Sequence, residues 1–137
     1  MVCKASLFDK DFDMIIKSIL VGFVALQHVA FLILEMFLWT KPAGLKVFRM
    51  TPEQAEATSV LAGNQGLYNG FLAAGLIWSM VHPDPLFSQQ LGMFFLLCVI
   101  CAGAYGAYTV NLRILLIQAL PAALALVVLF LTRTAAA

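Results

Sequence analysis

His28 and Glu35 stand seven residues apart in one long apolar run. At about 100° per residue, seven positions make two turns, so the imidazole and the carboxyl share a helix face. Such a pair can exchange a proton, hold a hydrogen-bonding ligand or tie helices together. A second apolar run carries Asn64-Gln65-Gly66-Leu67-Tyr68-Asn69-Gly70, three amides and a phenol, and Gln118 adds another amide further on. In hydrocarbon each unsatisfied polar group costs several kcal/mol, so these residues must face a partner, a cavity or a ligand. Cys98-Val99-Ile100-Cys101 has the spacing of a redox dithiol. It lies in mid-run rather than at a helix N-terminus, where a thiolate is stabilised, and no second cysteine pair stands by to pass electrons on. Inert core cysteines are the simpler reading. One histidine and one glutamate two turns apart make a poor metal site, and no metal or other cofactor is expected.

The elements that must position these groups follow from composition. Of 137 residues, 63% are hydrophobic and only 11% are charged. Soluble domains carry roughly 25% charged residues, and the mean hydropathy of +0.97 lies far from their range. An integral membrane protein is expected, with the lipid bilayer as its first partner. The net charge of +1 offers no nucleic-acid footprint. Three cysteines make no disulfide framework. The charges before the first apolar run are mixed in sign and no small-residue cleavage site ends it, so that run reads as a retained span.

Four runs approach the ~20 residues that cross a bilayer. They cover about 15–38, 59–80, 91–108 and 114–131, in one domain. Ser6 and Asp9 resemble a capping box that opens an amphipathic lead-in over about 7–14, with Phe8, Phe12, Ile15 and Ile16 on its apolar face. Trp39 sits where an interfacial anchor belongs, and Pro42-Ala43-Gly44 should end the first helix. Thr51, Pro52 and Gln54 form a capping box for the second. His82-Pro83-Asp84-Pro85 is a turn, and Asn111-Leu112-Arg113 is a link short enough to force an antiparallel hairpin. The expected fold is all-α: a four-helix transmembrane bundle running up-down-up-down.

An even number of spans puts both termini on one side. Lys4, Lys10, Lys17 and Arg133 lie there, against Lys41, Lys46, Arg49 and Arg113 opposite, so the positive charges balance. Three lysines before a retained first span favour termini in the cytoplasm.

Counting helical rise from each boundary puts nearly every intramembrane polar residue in the half away from the termini. His28, Glu35, Asn64, Gln65, Tyr68, Asn69 and Gln118 fall there, with Trp39 and Tyr105 as walls. His82 falls in a loop on the opposite side, so the two histidines cannot share one haem iron. A polar pocket between the helices is expected, opening toward the loop of residues 41–56. Glu35 is then either ionised and paired, with Arg113 the nearest basic candidate by depth, or protonated. Ala62, Gly66, Gly70 and Ala74 recur every four residues, a stripe that lets another helix approach closely, with the amides and Tyr68 on a roughly opposite arc.

These residues carry a resemblance. Gln27-His28 with Glu35-Met36-Phe37-Leu38-Trp39, the block from Asn64 to Leu76, Ala102-Gly103-Ala104-Tyr105-Gly106 with Thr109, and Gln118 with Leu120-Pro121-Ala122 resemble the bacterial domain of unknown function 1304 family of small four-span proteins. The likeness runs from about residue 14 to 130. It carries His28, Glu35, Trp39, Asn64, Gln65, Tyr68, Asn69 and Gln118 over as signature residues and leaves Cys98 and Cys101 outside. It implies topology, a bacterial inner membrane and no particular reaction. The architecture is also similar to DoxX-type four-helix membrane proteins, by fold alone.

The leading expectation is a membrane protein that binds or transports a small polar or amphiphilic molecule in the polar pocket. Glu35 would be its charged or proton-exchanging group, His28 a relay, and the amides and Tyr68 the hydrogen-bonding lining. One alternative is an accessory subunit of a larger membrane complex or homo-oligomer, docked through the glycine stripe. Another is an intramembrane enzyme using His28 with Glu35, or the two cysteines.

Overall fold

Prolines and caps set the element boundaries. The computed structural model describes residues 2–132, with side chains from Phe12 onward. Helix already runs through Ser6 from Val2, so the capping box expected at Ser6 and Asp9 does not open it, while the Phe8 side chain and Arg133 lie outside that description. No glycine or proline occurs between Val2 and Val21, and the lead-in and first span form one helix, α1 (Val2–Met36). Pro42 does not simply terminate it, as the sequence reading expected. The helix closes earlier, with the N–H groups of Phe37 and Leu38 both donating to the Ile33 carbonyl. Pro42 then opens a short helix of its own, α2 (Pro42–Phe48), where its missing N–H costs nothing. Arg49 ends α2 at φ 54°, ψ 45°, a left-handed conformation that L residues other than Asn and Asp seldom adopt.

α3 (Pro52–Val81) starts with the expected reciprocal cap. The Thr51 N–H donates to Gln54 Oε1 at 3.0 Å, and the Gln54 N–H donates to Thr51 Oγ1 at 3.3 Å. α4 (Pro85–Thr109) is capped by Asp84, whose Oδ1 accepts from the Phe87 N–H at 2.7 Å. Asn111 Oδ1 accepts from the Arg113 N–H in the link that follows. The last apolar run is not one regular helix. Leu115–Ala119 forms a π-turn and leads into α5 (Leu120–Leu131), with the Leu120 N–H reaching back five residues to Leu115. Pro121 lacks the N–H that would bond Ile117, and a wider turn before it absorbs the mismatch.

The fold is all-α among the described residues. Among the described residues two stretches are long and apolar enough to cross a bilayer, Phe12–Met36 and Pro85–Thr109, and Leu115–Leu131 is apolar but shorter. α3 spans the expected second run, but its amide- and glycine-rich block leaves it outside that test.

Contacts cluster in two compact units. The first contains the chain up to Val24 and from Gly75 onward. There α4 packs antiparallel along the π-turn and α5, as the short link requires. Gly106 lies against Ile114, Gly103 against Ala119 and Gly92 against Leu129, so one number falls as the other rises. Leu76, Leu96, Val99, Ala122 and Ala125 are fully buried and form its core with Val24. The small residues on α5 allow that close approach.

The second unit is Ala25–Ala74. The end of α1 runs antiparallel to α3, with Leu32 against Gly70 and Met36 against Gly66. Trp39 packs against Phe48 of α2, ring centres 4.5 Å apart and planes tilted by 48°, and donates from Nε1 to Thr58 Oγ1 of α3 at 3.1 Å. One indole therefore ties all three helices of this unit.

Candidate functional site

Two stripes meet in the second unit and position its polar groups. On α1, Ala25 and His28 are buried, and Leu32 and Glu35 follow on the same face, half-buried. On α3 the buried series is Ala62, Gly66, Asn69 and Ala73. The four-residue stripe read from sequence is corrected here, because Ala74 is exposed and Ala73 takes its place. A four-residue step overshoots a turn by about 40°, whereas alternating steps of three and four stay on one face. Asn69 therefore joins the small-residue face instead of lying opposite it.

The glycines set the distance between the stripes. A Cβ on Gly66 would meet Met36 Cγ at 2.6 Å and Glu35 Cβ at 3.1 Å, and one on Gly70 would meet Leu32 Cδ1 at 2.5 Å. At this spacing Asn69 Nδ2 donates to Glu35 Oε2 at 2.7 Å, a short hydrogen bond. Asn69 is 4% exposed and Glu35 half-buried, so the amide is fixed while the carboxyl keeps an accessible edge. Glu35 takes its bond from an amide, where the sequence reading had named Arg113 as the nearest basic candidate.

Chemically the pair is rich in acceptors. Glu35 retains Oε1, and Asn69 retains its carbonyl oxygen. A molecule that donates hydrogen bonds, such as an amine, a hydroxyl or an amide N–H, would complement them. His28 is buried and meets Phe31 edge-on at 5.6 Å, two turns from Glu35 along α1.

The other expected residues are distributed differently. Asn64, Gln65 and Tyr68 lie on the exposed arc of α3, with Tyr68 60% exposed and leaning toward Phe71. Trp39 is half-buried in the helix tie described above. Gln118 and Tyr105 belong to the first unit. Gln118 is half-buried within the π-turn, and Tyr105 is 70% exposed on α4. Cys98 is half-buried and Cys101 exposed, both as free thiols in the middle of α4. No group of three or more His, Cys, Asp or Glu side chains lies together among the described residues. The sequence reading missed Thr58 as the partner of Trp39, since no local pattern links residues nineteen apart across a helical excursion. It also missed Leu32 and Met36 as the surface that the glycines accept.

Comparison with known proteins agrees with the resemblance noted in the sequence. A family described as "Protein of unknown function (DUF1304)" matches residues 22–130. The "Uncharacterized protein YpaA" of Lactococcus lactis subsp. lactis (strain IL1403) is 34% identical over 115 residues, which cover 82% of this chain and 95% of that protein. No solved structure matches.

Proposed function

Since the chain belongs to the DUF1304 family of proteins of unknown function, we propose from its own residues that it is a multi-pass membrane protein holding a small polar or amphiphilic molecule at Glu35 and Asn69. The observation that carries this reading is the 2.7 Å bond between a buried amide and a half-buried carboxyl inside an apolar chain. Beyond that bond the pair keeps Glu35 Oε1 and the Asn69 carbonyl as acceptors and one Asn69 amide hydrogen as a donor. The complementary ligand is a hydrogen-bond donor, with a cationic amine the strongest case because it also meets the carboxylate charge. Protonation of Glu35 would remove that charge and release such a ligand, which is the chemistry a proton-coupled carrier needs.

Membrane residence is supported by where the apolar side chains point. Only 22% of each spanning-length window is buried. Ile19, Leu26 and Phe94 are each 60% or more exposed, whereas the core helix of a soluble protein would cover such residues. In the proposed arrangement α1, α3, α4 and the π-turn with α5 are four crossings, up-down-up-down, in a bacterial inner membrane with cytoplasmic termini. Retention in the membrane pellet after alkaline washing, with cysteine tags at both ends protected from an external polar reagent, is the expected result. Release into the wash, or tags reached from opposite sides, would overturn that arrangement.

One observation favours a second reading. Asn64 and Gln65 are exposed on α3, and in hydrocarbon exposed amides need a covering helix. An accessory subunit or homo-oligomer would supply one. The glycine stripe is not its docking surface, because Leu32 and Met36 already occupy it. A polar thiol reagent applied to a cysteine at Asn64, in a background without Cys3, Cys98 and Cys101, separates the readings. Reaction supports a wet site, and protection lifted only by subunit dissociation supports the assembly.

A further inference from the structure

The first unit holds a separate cavity of about 280 Å³, formed where α1, the end of α3, the start of α4 and the end of α5 meet. Its wall changes character along the helices. Lys17, Ser18, His82 and Ser88 lie toward the end of the unit that holds the Pro83–Pro85 turn. Val21 and Gly92 lie about a turn further in, with Ser79, Met80 and Leu129 alongside, and Met14 lies a turn toward the outer end.

Most polar hydrogens in this cavity are already committed. The Ser18 hydroxyl donates to the Met14 carbonyl, Ser79 to Leu76, and Ser88 to the Ser79 carbonyl, while Gln89 Nε2 donates to the Leu129 carbonyl at 2.9 Å. The Ser88 and Gln89 bonds go to carbonyls in the last turns of α3 and α5. The Lys17 ammonium and the His82 ring remain. His82 Nδ1 meets the Asp84 backbone, 3.2 Å from its N–H and 3.4 Å from its carbonyl, which leaves Nε2 as the other ring nitrogen. Among the described residues no carboxylate lines the cavity. Asp13, a turn before Lys17, is exposed, and Asp84 is spent on the α4 cap.

Among the described residues the lining holds one cation, one imidazole and no carboxylate, with Val21 and Leu129 at its inner end, which fits an anion carried on a hydrocarbon tail. We propose that it binds the phosphate of an anionic amphiphile, with Lys17 and His82 on the head and Val21, Met80 and Leu129 against the first methylenes. The volume lies at the small end of ligand pockets, enough for a head group and the root of a chain. This inference rests on the membrane reading above and not on the Glu35 site.

A built-in reporter makes it testable. Trp78 lies 6.1 Å from the His82 ring and 5.9 Å from Phe87, so a ligand at His82 changes its emission. The purified protein in neutral detergent is titrated with dihexanoyl phosphatidylglycerol, dihexanoyl phosphatidylcholine and glycerol phosphate. The expected result is a saturable response to phosphatidylglycerol, at least tenfold tighter than to phosphatidylcholine, lost in Trp78→Phe and reduced to the phosphatidylcholine level in Lys17→Gln. Ser18→Leu, which keeps the charge and fills the mouth, should weaken both lipids. Equal affinity for the two lipids, or an unchanged titration in both Lys17→Gln and Ser18→Leu, would overturn the site. Glycerol phosphate binding as tightly as the lipid would overturn the amphiphile and leave a soluble phosphate ester. Alkaline washing of the same membranes tests the membrane reading separately, so a retained protein without lipid preference counts against this inference alone.

Discussion

Gly63 and Gly66 lie one turn apart on α3 and should respond to alanine with opposite signs. A Cβ at Gly63 meets nothing within 4 Å. Gly63→Ala therefore gains only helix propensity, about 0.5–1 kcal/mol. A Cβ at Gly66 meets Met36 Cγ at 2.6 Å and the Met36 backbone nitrogen at 3.1 Å. Neither is the far end of a flexible chain, so α1 itself must move. Overpacking of this kind costs about 1–3 kcal/mol, which offsets the propensity gain and exceeds it over most of that range. The two variants should thus differ by about 1–3 kcal/mol, roughly 5- to 150-fold in unfolding equilibrium constant. Reversible unfolding in mixed micelles, followed by tryptophan emission, measures the difference. Because Glu35 Cβ is the third atom that Gly66 faces, the same shift lengthens the Asn69–Glu35 bond. Ligand retention should therefore fall in Gly66→Ala and stay at the wild-type level in Gly63→Ala. Equal stability of the two variants would refute the close approach of the stripes, and with it the geometric basis of the site.

Other consequences follow from single features. Arg49→Gly relieves a left-handed residue and should raise the melting temperature, whereas Arg49→Val should lower it by an amount corresponding to about 1–2 kcal/mol. Trp39→Phe keeps the packing against Phe48 and loses the bond to Thr58, which should cost about 0.5–1.5 kcal/mol in the same unfolding assay. The Glu53 carboxyl is held below its ordinary value of 4.5, first by its own backbone N–H at the start of α3 and then by the Thr51 hydroxyl. Its folded value is depressed, so its contribution is complete above 4.5 and is lost as pH falls below that value. Glu53→Gln should be less stable than the wild type at pH 7, and the two melting curves should converge in acid.

The local features of the fold were legible because they rest on local chemistry. The cap at Thr51 and Gln54, the turn around Asp84 and the hairpin forced by Asn111-Leu112-Arg113 each depend on residues a few positions apart. Pro42 was misread because a proline after an apolar run marks either an end or a beginning. The choice depended on α1 closing early at Ile33, which no residue type announces. The π-turn was hidden because Pro121 reads equally well as a kink, a start or a bulge.

At the site, the pairing of stripes decided what sequence could not. Spacing put Glu35 and the amide block at similar depth but could not say which amide faces inward. The drift of a four-residue repeat around α3 turned Asn69 toward α1 and left Asn64, Gln65 and Tyr68 outside. The cavity at Lys17 and His82 gave no signal at all. Its residues come from four helices and look, one at a time, like ordinary charges and turn residues near helix ends.

Native mass spectrometry of the detergent-purified protein beside Glu35→Gln and Asn69→Ala tests the central claim most directly. The expected result is a discrete adduct on the wild type that both variants lose while remaining folded. A clean apo mass in all three proteins would contradict it, and the Glu35–Asn69 bond would then be helix glue.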